Sequence, residues 1–228
     1  MNIVIIIPAY NEEANIEEVV KGALAHGDVI VVDDGSTDNT STVAKKAGAK
    51  VIKHGKNKGK GAAIKTGIKT IIDKGYDVIV LMDGDGQHDP QYIGSLTSRI
   101  NGAQIVIGSR FMDDISKMPL HRRFSNKITT YFLDYLTGYH LTDTQSGFKA
   151  INADYAPLLL KIPYDDYIYE SELIRVAAAH GLIIDEVPIA CHYAMEKSYI
   201  KMADILKYMV FITRLLSYKI MKSIRRYL

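Results

Sequence analysis

A chain of 228 residues, 47% of them hydrophobic, has material for one α/β core of ordinary size, and its net charge of +2 supplies no global field to select nucleic acid. Its single cysteine, Cys191, excludes an intramolecular disulfide framework and a cysteine metal cluster, and fits a reducing interior. The opening MNIVIIIPAYNEE has no basic region and runs straight into Glu12 and Glu13, which makes it a first strand and not a signal peptide; no uncharged apolar window reaches the roughly 18 residues of a convincing transmembrane span.

In chain order, Ile3–Ile7 predicts a buried strand that Pro8 stops. Glu12 to Ala25 carries Ile16, Val19, Val20, Ala23 and Leu24 at helical spacing, with Asn11 expected as N-cap. Val29–Val32 predicts a second buried strand, which runs into Asp33-Asp34-Gly35-Ser36-Thr37-Asp38 and then a helix from Asn39 to Ala47. A short strand at Val51–Lys53 precedes a basic, glycine-rich turn and a helix from Gly59 to Lys74. Val78–Met82 is an unbroken apolar run, a strand buried on both faces. It drops directly into Asp83-Gly84-Asp85-Gly86-Gln87, ahead of a helix from Pro90 to Ile100 and a fifth strand at Gln104–Gly108. Such alternation predicts a mostly parallel sheet with helices on both faces, whose ligands bind outside the carboxyl ends of the strands. Beyond Phe111 the pattern predicts a helix from Pro119 to Tyr139, a polar turn from Thr142 leading into a short strand at Ile151, a helix from Tyr169 to His180, a strand at Ile183–Ile189 and a long helix from Ser198 to Ile224. No linker interrupts the chain, so residues 1–228 are expected to form a single domain.

The acidic stretch carries the strongest chemical signal. Two carboxylates and an amide at the end of a buried strand are hard oxygen ligands suited to Mg²⁺ or Mn²⁺, and Gly84 and Gly86 let the backbone come close to a ligand. An ordinary Asp-Gly surface turn is the alternative, and the position after a buried strand favours the site. The first strand leads into Pro8-Ala9-Tyr10-Asn11-Glu12, which is no dinucleotide fingerprint, and GKNKGKG lacks the spacing and hydroxyl of a P-loop. Lys60 in that turn is either solvated or a phosphate contact. Asp38 reads as a helix cap, and Asp34 as the aspartate facing a ligand.

Taken together and in order, PAYNEE (8–13), VVDDGSTD (31–38), NKGKGAA (57–63), MDGDGQHDP (82–90), GSR (108–110) and DTQSGFKA (143–150) make the sequence resemble the family 2 glycosyltransferases of GT-A fold, over nearly the whole chain. Within that family it looks most like the polyprenyl-phosphate sugar transferases, the dolichyl-phosphate mannose synthases among them. The residues that carry this are Pro119-Leu120-His121-Arg122-Arg123 with Ser125, the DTQSGF turn, and EVPI (186–189) followed by Ser198. The resemblance implies an α/β sheet, mostly parallel and flanked by helices, divided into a nucleotide-binding half (1–110), an acceptor half (111–197) and a C-terminal amphipathic helix (198–228). It implies inverting, metal-dependent transfer of a hexose, mannose or glucose, from GDP-mannose or a UDP-hexose to a polyprenyl or dolichyl phosphate. Pro8, Tyr10, Glu12, Val32 and Asp34 would hold base and ribose, with Lys60 and Arg110 also on the nucleotide sugar. Asp83, Gly84, Asp85 and Gln87 would form the sugar and metal site, with Asp83, Asp85 and Gln87 as the Mg²⁺ or Mn²⁺ set. Asp85, Arg110, Arg122 and Ser125 would be catalytic. Arg122, Ser125, His192 and Ser198 would meet the acceptor phosphate, His192 standing where the mannose synthases carry an arginine.

Elementary chemistry agrees. A nucleotide diphosphate leaves only when its charge is offset, and a divalent ion does that. A phosphate monoester acceptor arrives largely ionised and needs arginines to orient it. A hydroxyl acceptor would need a general base, for which Asp143, Glu170 and Glu172 are the candidates. A third reading is a nucleotide-binding module without turnover, attached to a membrane complex. Residues 195–228 hold eight Lys or Arg against two acids, interleaved with apolar residues. That composition is expected at the cytoplasmic face of an anionic membrane, on the lipid surface or a membrane-embedded partner; a basic helix packed on the core is the alternative.

Overall fold

The computed structural model describes residues 1–116, 118–191, 207–213 and 216. Its first half is the expected alternation: β1 (Ile3–Ala9), α1 (Ile16–Leu24), β2 (Asp28–Asp33), α2 (Thr40–Lys46), β3 (Lys50–Lys53), α3 (Lys60–Lys69), β4 (Val78–Leu81), α4 (Ile93–Ser98) and β5 (Ile105–Ser109). There follow α5 (Leu120–Thr137), β6 (Lys149–Asn152), α6 (Ala156–Leu160), α7 (Ile168–Ala179) and β7 (Ile184–Pro188). Among the described residues the strands form one sheet in the order β3-β2-β1-β4-β6-β5-β7, with β6 alone antiparallel to its neighbours.

Strand periodicity divides the core. Ile5, Ile7, Val29, Val31, Val78 and Val80 point to one face, under α1, α2 and α4, while Val4, Ile6, Ile30, Val32, Ile79 and Leu81 point to the other, under α3, α6 and α7. β1 and β4 are apolar on both faces because helices cover both.

Local expectations shift in three places. β1 runs through Pro8 to Ala9. β4 pairs only with Ile3–Ile6, and Ala9 turns its carbonyl toward β2, accepting from Asp34 N at 2.8 Å, so Pro8 faces the side where no ladder bond is required. α1 begins at Ile16, and Asn11 is no helix cap. Asn11 sits at φ +58 with its Oδ1 accepting from Thr37 N at 2.9 Å, which ties the β1 turn to the β2 turn. β6 enters between β4 and β5, so the second half of the chain supplies a central strand of the sheet. The long C-terminal helix expected from Ser198 lies mostly outside the described residues; residues 207–213 are helical, and Phe211 and Ile212 pack on Ile168 with Phe132 alongside.

Candidate active site

β4 delivers Asp83 to the carboxyl edge of the sheet, where a cluster of charges closes around it. The Lys60 ammonium, at the first residue of α3, lies 2.6 Å from Asp83 Oδ1 and 2.5 Å from Glu170 Oε1 of α7. Glu170 also faces Lys149 Nζ at 3.5 Å, and Lys149 donates to the Ser146 carbonyl. Burial works against the Lys60 ammonium, but Asp83 and Glu170 more than offset it and raise its pKa above the usual lysine range. Burial alone would raise the Asp83 carboxyl; Lys60, with His88 and Lys149 behind it, holds it down to about 2. Lys149, 1% exposed, is pushed down by burial. Farther along the turn, Asp85 Oδ1 accepts from Gln87 N at 3.0 Å and Gly86 takes φ +75.

The turn Asp143–Gly147 joins this cluster to the rest of the cleft. Asp143, fully buried, receives Arg110 Nε at 2.7 Å and Nη2 at 2.9 Å, a two-point grip at the end of β5. Thr144 N donates to Thr130 Oγ1 of α5 at 3.2 Å, and Gln145 Nε2 to Ser171 Oγ of α7 at 3.1 Å. Glu186 of β7 accepts from Thr142 N at 2.7 Å and Asp143 N at 3.0 Å. Gly147 lies against the Asp83 carboxylate, and a Cβ there would also come within 2.8 Å of Lys60 Nζ. One short turn therefore registers Arg110, α5, α7 and Asp83 to one another.

On the other flank, Pro8 and Val32 are register partners in the β1–β2 ladder, with Tyr10 half-buried just beyond. Glu12 N donates to Thr40 Oγ1 at 2.8 Å; the N-cap position of α2 is Asn39, and Asp38, one residue before it, accepts from Thr40 N at 3.0 Å. Arg122 is half-buried and Ser125 exposed on the first turns of α5. No described contact ties Arg122 to the Asp83 cluster. His192 and Ser198 lie outside the described residues.

The glycosyl transferase family 2 model matches residues 4–157, the span that carries β1 to β6, the acidic turn and the Asp143–Gly147 turn. The chain belongs to glycosyl transferase family 2. Of its relatives, the UDP-N-acetylglucosamine–dolichyl-phosphate N-acetylglucosaminyltransferase of Methanococcus voltae is 35% identical over 215 residues, covering 84% of this chain and 86% of that protein. The undecaprenyl-phosphate mannosyltransferase of Micrococcus luteus is 31% identical over 201 residues, covering 83% of each. The crystal structure of Mycobacterium tuberculosis glucosyl-3-phosphoglycerate synthase superposes with a TM-score of 0.68 at 25% identity, over 86% of this chain and 73% of that one. This family 2 member is a glycosyltransferase with the GT-A arrangement of sheet and helices.

The donor set at Asp83, Asp85 and Gln87 fits a divalent cation: two carboxylates and an amide oxygen on a glycine-interrupted turn, beside a glycine at 147 that leaves the Asp83 carboxylate room. In the same wall, His88 is 4% exposed, its ring stacks on Phe148 at 5.2 Å, and its Nδ1 has no partner among the described residues. Sequence reading passed over Lys149, Glu186, Gly147 and His88. All four lie inside quoted motifs, Gly147 and Lys149 in DTQSGFKA, His88 in MDGDGQHDP and Glu186 at the start of EVPI, but the motifs gave none of them a role.

His88 gives a prediction on pH. Burial, opposed by Asp83 and assisted by Arg110 and Lys60, pushes it down to about 4. A folded value below the unfolded one means that the unfolded chain binds the extra proton, so stability is complete above pH ~6.5 and is lost as pH falls toward 4. Between pH 7 and 4.5 the His88 contribution is expected to fall by about 2 to 3 kcal/mol. Urea unfolding of wild type and His88→Gln at both pH values measures it. An equal pH dependence in the two proteins would remove His88 as its source.

Proposed function

We propose that this glycosyltransferase moves a sugar, with inversion, from a nucleotide diphosphate sugar to a polyprenyl phosphate. The observation that carries the reading is the state of the three carboxylates that are candidates for the one general base a hydroxyl acceptor would need. Asp143 is gripped by Arg110, Glu170 by Lys60 and Lys149, and Glu172 by Arg175 at 2.8 and 2.6 Å. Each is held in an ion pair with a cation of the protein rather than left open to an acceptor hydroxyl. A phosphate acceptor needs none taken. The two relatives named for transfer to dolichyl and undecaprenyl phosphate point the same way.

In this reading the acceptor oxygen attacks the anomeric carbon from the side opposite the diphosphate, forming one C–O bond as the other breaks. Asp83, Asp85 and Gln87 would hold a Mg²⁺ or Mn²⁺ ion, which when bound offsets charge on the leaving diphosphate. Lys60 keeps Asp83 ionised and adds a positive charge at the cleft floor. Pro8, Tyr10, Glu12 and Val32 flank the position for base and ribose, and Arg122 and Ser125 that for the acceptor phosphate. The donor sugar is read by assay: GDP-mannose, UDP-glucose and UDP-N-acetylglucosamine are each offered with Mn²⁺ and a short-chain polyprenyl phosphate, and separately with the matching prenol. Transfer to the phosphate and none to the alcohol is expected. Transfer to the alcohol, or none to either, would overturn the assignment.

The working place proposed is the membrane surface. No described helix is long and apolar enough to cross a bilayer. On α5, however, Leu120, Phe124, Ile128, Tyr131 and Tyr135 are exposed, Leu120 by 76% and Phe124 by 71%. At 100° per residue they fall within about an 80° arc. That arc lies opposite the buried Thr129, Thr130 and Leu133. An apolar stripe with tyrosines, flanked by the exposed Lys127 on the same helix, suits a lipid interface. Wild-type protein is expected to co-sediment with vesicles containing anionic lipid, with a salt-resistant fraction from apolar burial. Combining Phe124→Glu and Tyr131→Glu is expected to abolish that fraction without lowering thermal stability. Wild type left in the supernatant at low salt would refute surface docking by α5.

A further inference from the structure

Asp33 and Asp34 stand side by side at the end of β2, both buried, yet their carboxylates do different things. Asp33 serves its own loop, accepting from Ser36 N at 2.7 Å and from the Ser41 hydroxyl, with Lys53 Nζ at 3.3 Å. Asp34 reaches across to the basic turn before α3. Its Oδ1 accepts from Lys58 N at 2.9 Å, and its Oδ2 from Gly59 N at 2.7 Å and Lys58 N at 3.1 Å. The remaining position on Oδ1 is taken by His54 Nδ1 at 2.7 Å, and the far nitrogen of the same ring meets Thr66 Oγ1 of α3 at 2.9 Å. His54 is 6% exposed and follows β3, so its ring joins the ends of β2 and β3 to α3.

We infer that His54 is a positioning residue for the nucleotide side of the cleft: through Asp34 it fixes the turn 56–59, and with it the Lys60 ammonium beside Asp83. The inference rests on the nucleotide-sugar reading of this cleft. Three protein donors converge on the Asp34 carboxylate, His54 Nδ1 and the Lys58 and Gly59 amides, with the Lys58 amide shared between both oxygens, so its part in the described structure is to hold the turn. The turn has a second seat. A Cβ on Gly35 would meet Asn57 N at 2.7 Å, so the backbone at 56 and 57 lies directly on β2's exit. Gly59 then takes φ +100, and α3 starts at the next residue, Lys60. A displacement of the held Gly59 amide passes within one residue to the ammonium that bridges Asp83 and Glu170. His54 is the only side chain among the described contacts of Asp34. It is therefore the side chain that sets how the carboxylate is aimed.

Two substitutions separate the halves of the ring. Asparagine places its amide nitrogen near the position of Nδ1 and keeps a donor for Asp34, whereas glutamine places it near Nε2 and withdraws that donor. His54→Asn is expected to bind UDP or GDP with Mn²⁺, by titration calorimetry, within about threefold of wild type, and His54→Gln about tenfold or more weaker. The donor KM should rise in step in His54→Gln while the acceptor KM stays unchanged, a split that mere loss of stability does not produce. Amide exchange at Lys58 and Gly59, followed by NMR on the full chain without nucleotide, should be slow in wild type and His54→Asn and fast in His54→Gln. Equal exchange in all three proteins, or equal nucleotide affinity in the two variants, would overturn the inference. A wild type that binds neither UDP nor GDP would overturn the nucleotide reading instead, with the exchange data still deciding whether His54 holds the turn.

Discussion

Replacing Arg110 by alanine is expected to cost about 3 to 5 kcal/mol of stability, because it strands a buried carboxylate. Asp143 has no exposed surface, and two of its described contacts are guanidinium nitrogens of Arg110. The desolvation of Asp143 stays when the arginine goes, and the backbone donors at 110 and 145 offset only part of it. Denaturant unfolding measures the loss, and Asp143→Asn introduced into Arg110→Ala should recover a good part of it by removing the orphaned charge. A loss below about 1 kcal/mol would mean that water reaches Asp143. Lower activity in Arg110→Ala therefore reports on the Asp143–Gly147 turn as well as on any phosphate contact. Arg110→Ala is a test of architecture before it is a test of catalysis.

Gly147→Ala is expected to do the reverse: fold normally and fail in the cleft. Gly147 is not among the residues at positive φ, so its backbone accepts an alanine. The added methyl enters the space of the Asp83 carboxylate and comes within 2.8 Å of Lys60 Nζ, pushing apart the pair at the floor of the site. A displacement of this size at reacting groups costs on the order of 100-fold in kcat/KM. Mn²⁺ affinity should weaken too, since Asp83 is one of three proposed donors. Melting temperature should fall as well, but by less than in Arg110→Ala, because the methyl displaces the Asp83 carboxylate from Lys60 without deleting either partner. Activity within a few-fold of wild type would show that Asp83 and Lys60 do not form the reactive floor.

Much of the fold was written in local pattern. The apolar runs at Ile3–Ile7 and Val78–Met82 announced strands covered on both faces, and the polar clusters after them marked the edge where the cleft lies. The motifs also located the acidic turn, the basic turn and the DTQSGF turn, since each is a run of neighbours whose types declare a sharp bend beside charge. Distant partners were not legible. Neighbours along the chain leave Lys60 between solvent and phosphate, whereas the fold sets it between Asp83 and Glu170. Asp143 and Glu170 read as spare bases, and the structure pairs both with cations. Nor did any pattern show β6 entering antiparallel between β4 and β5, or the Leu120–Tyr135 stripe pointing away from the core. Periodicity records which side chains must leave water, and that is a property of neighbours along the chain. Which cation meets which buried carboxylate, and which face of a helix is left uncovered, depends on elements that meet only when the sheet closes. That is why the strands, the helices and the family could be read in order, while the pairing that builds the cleft could not.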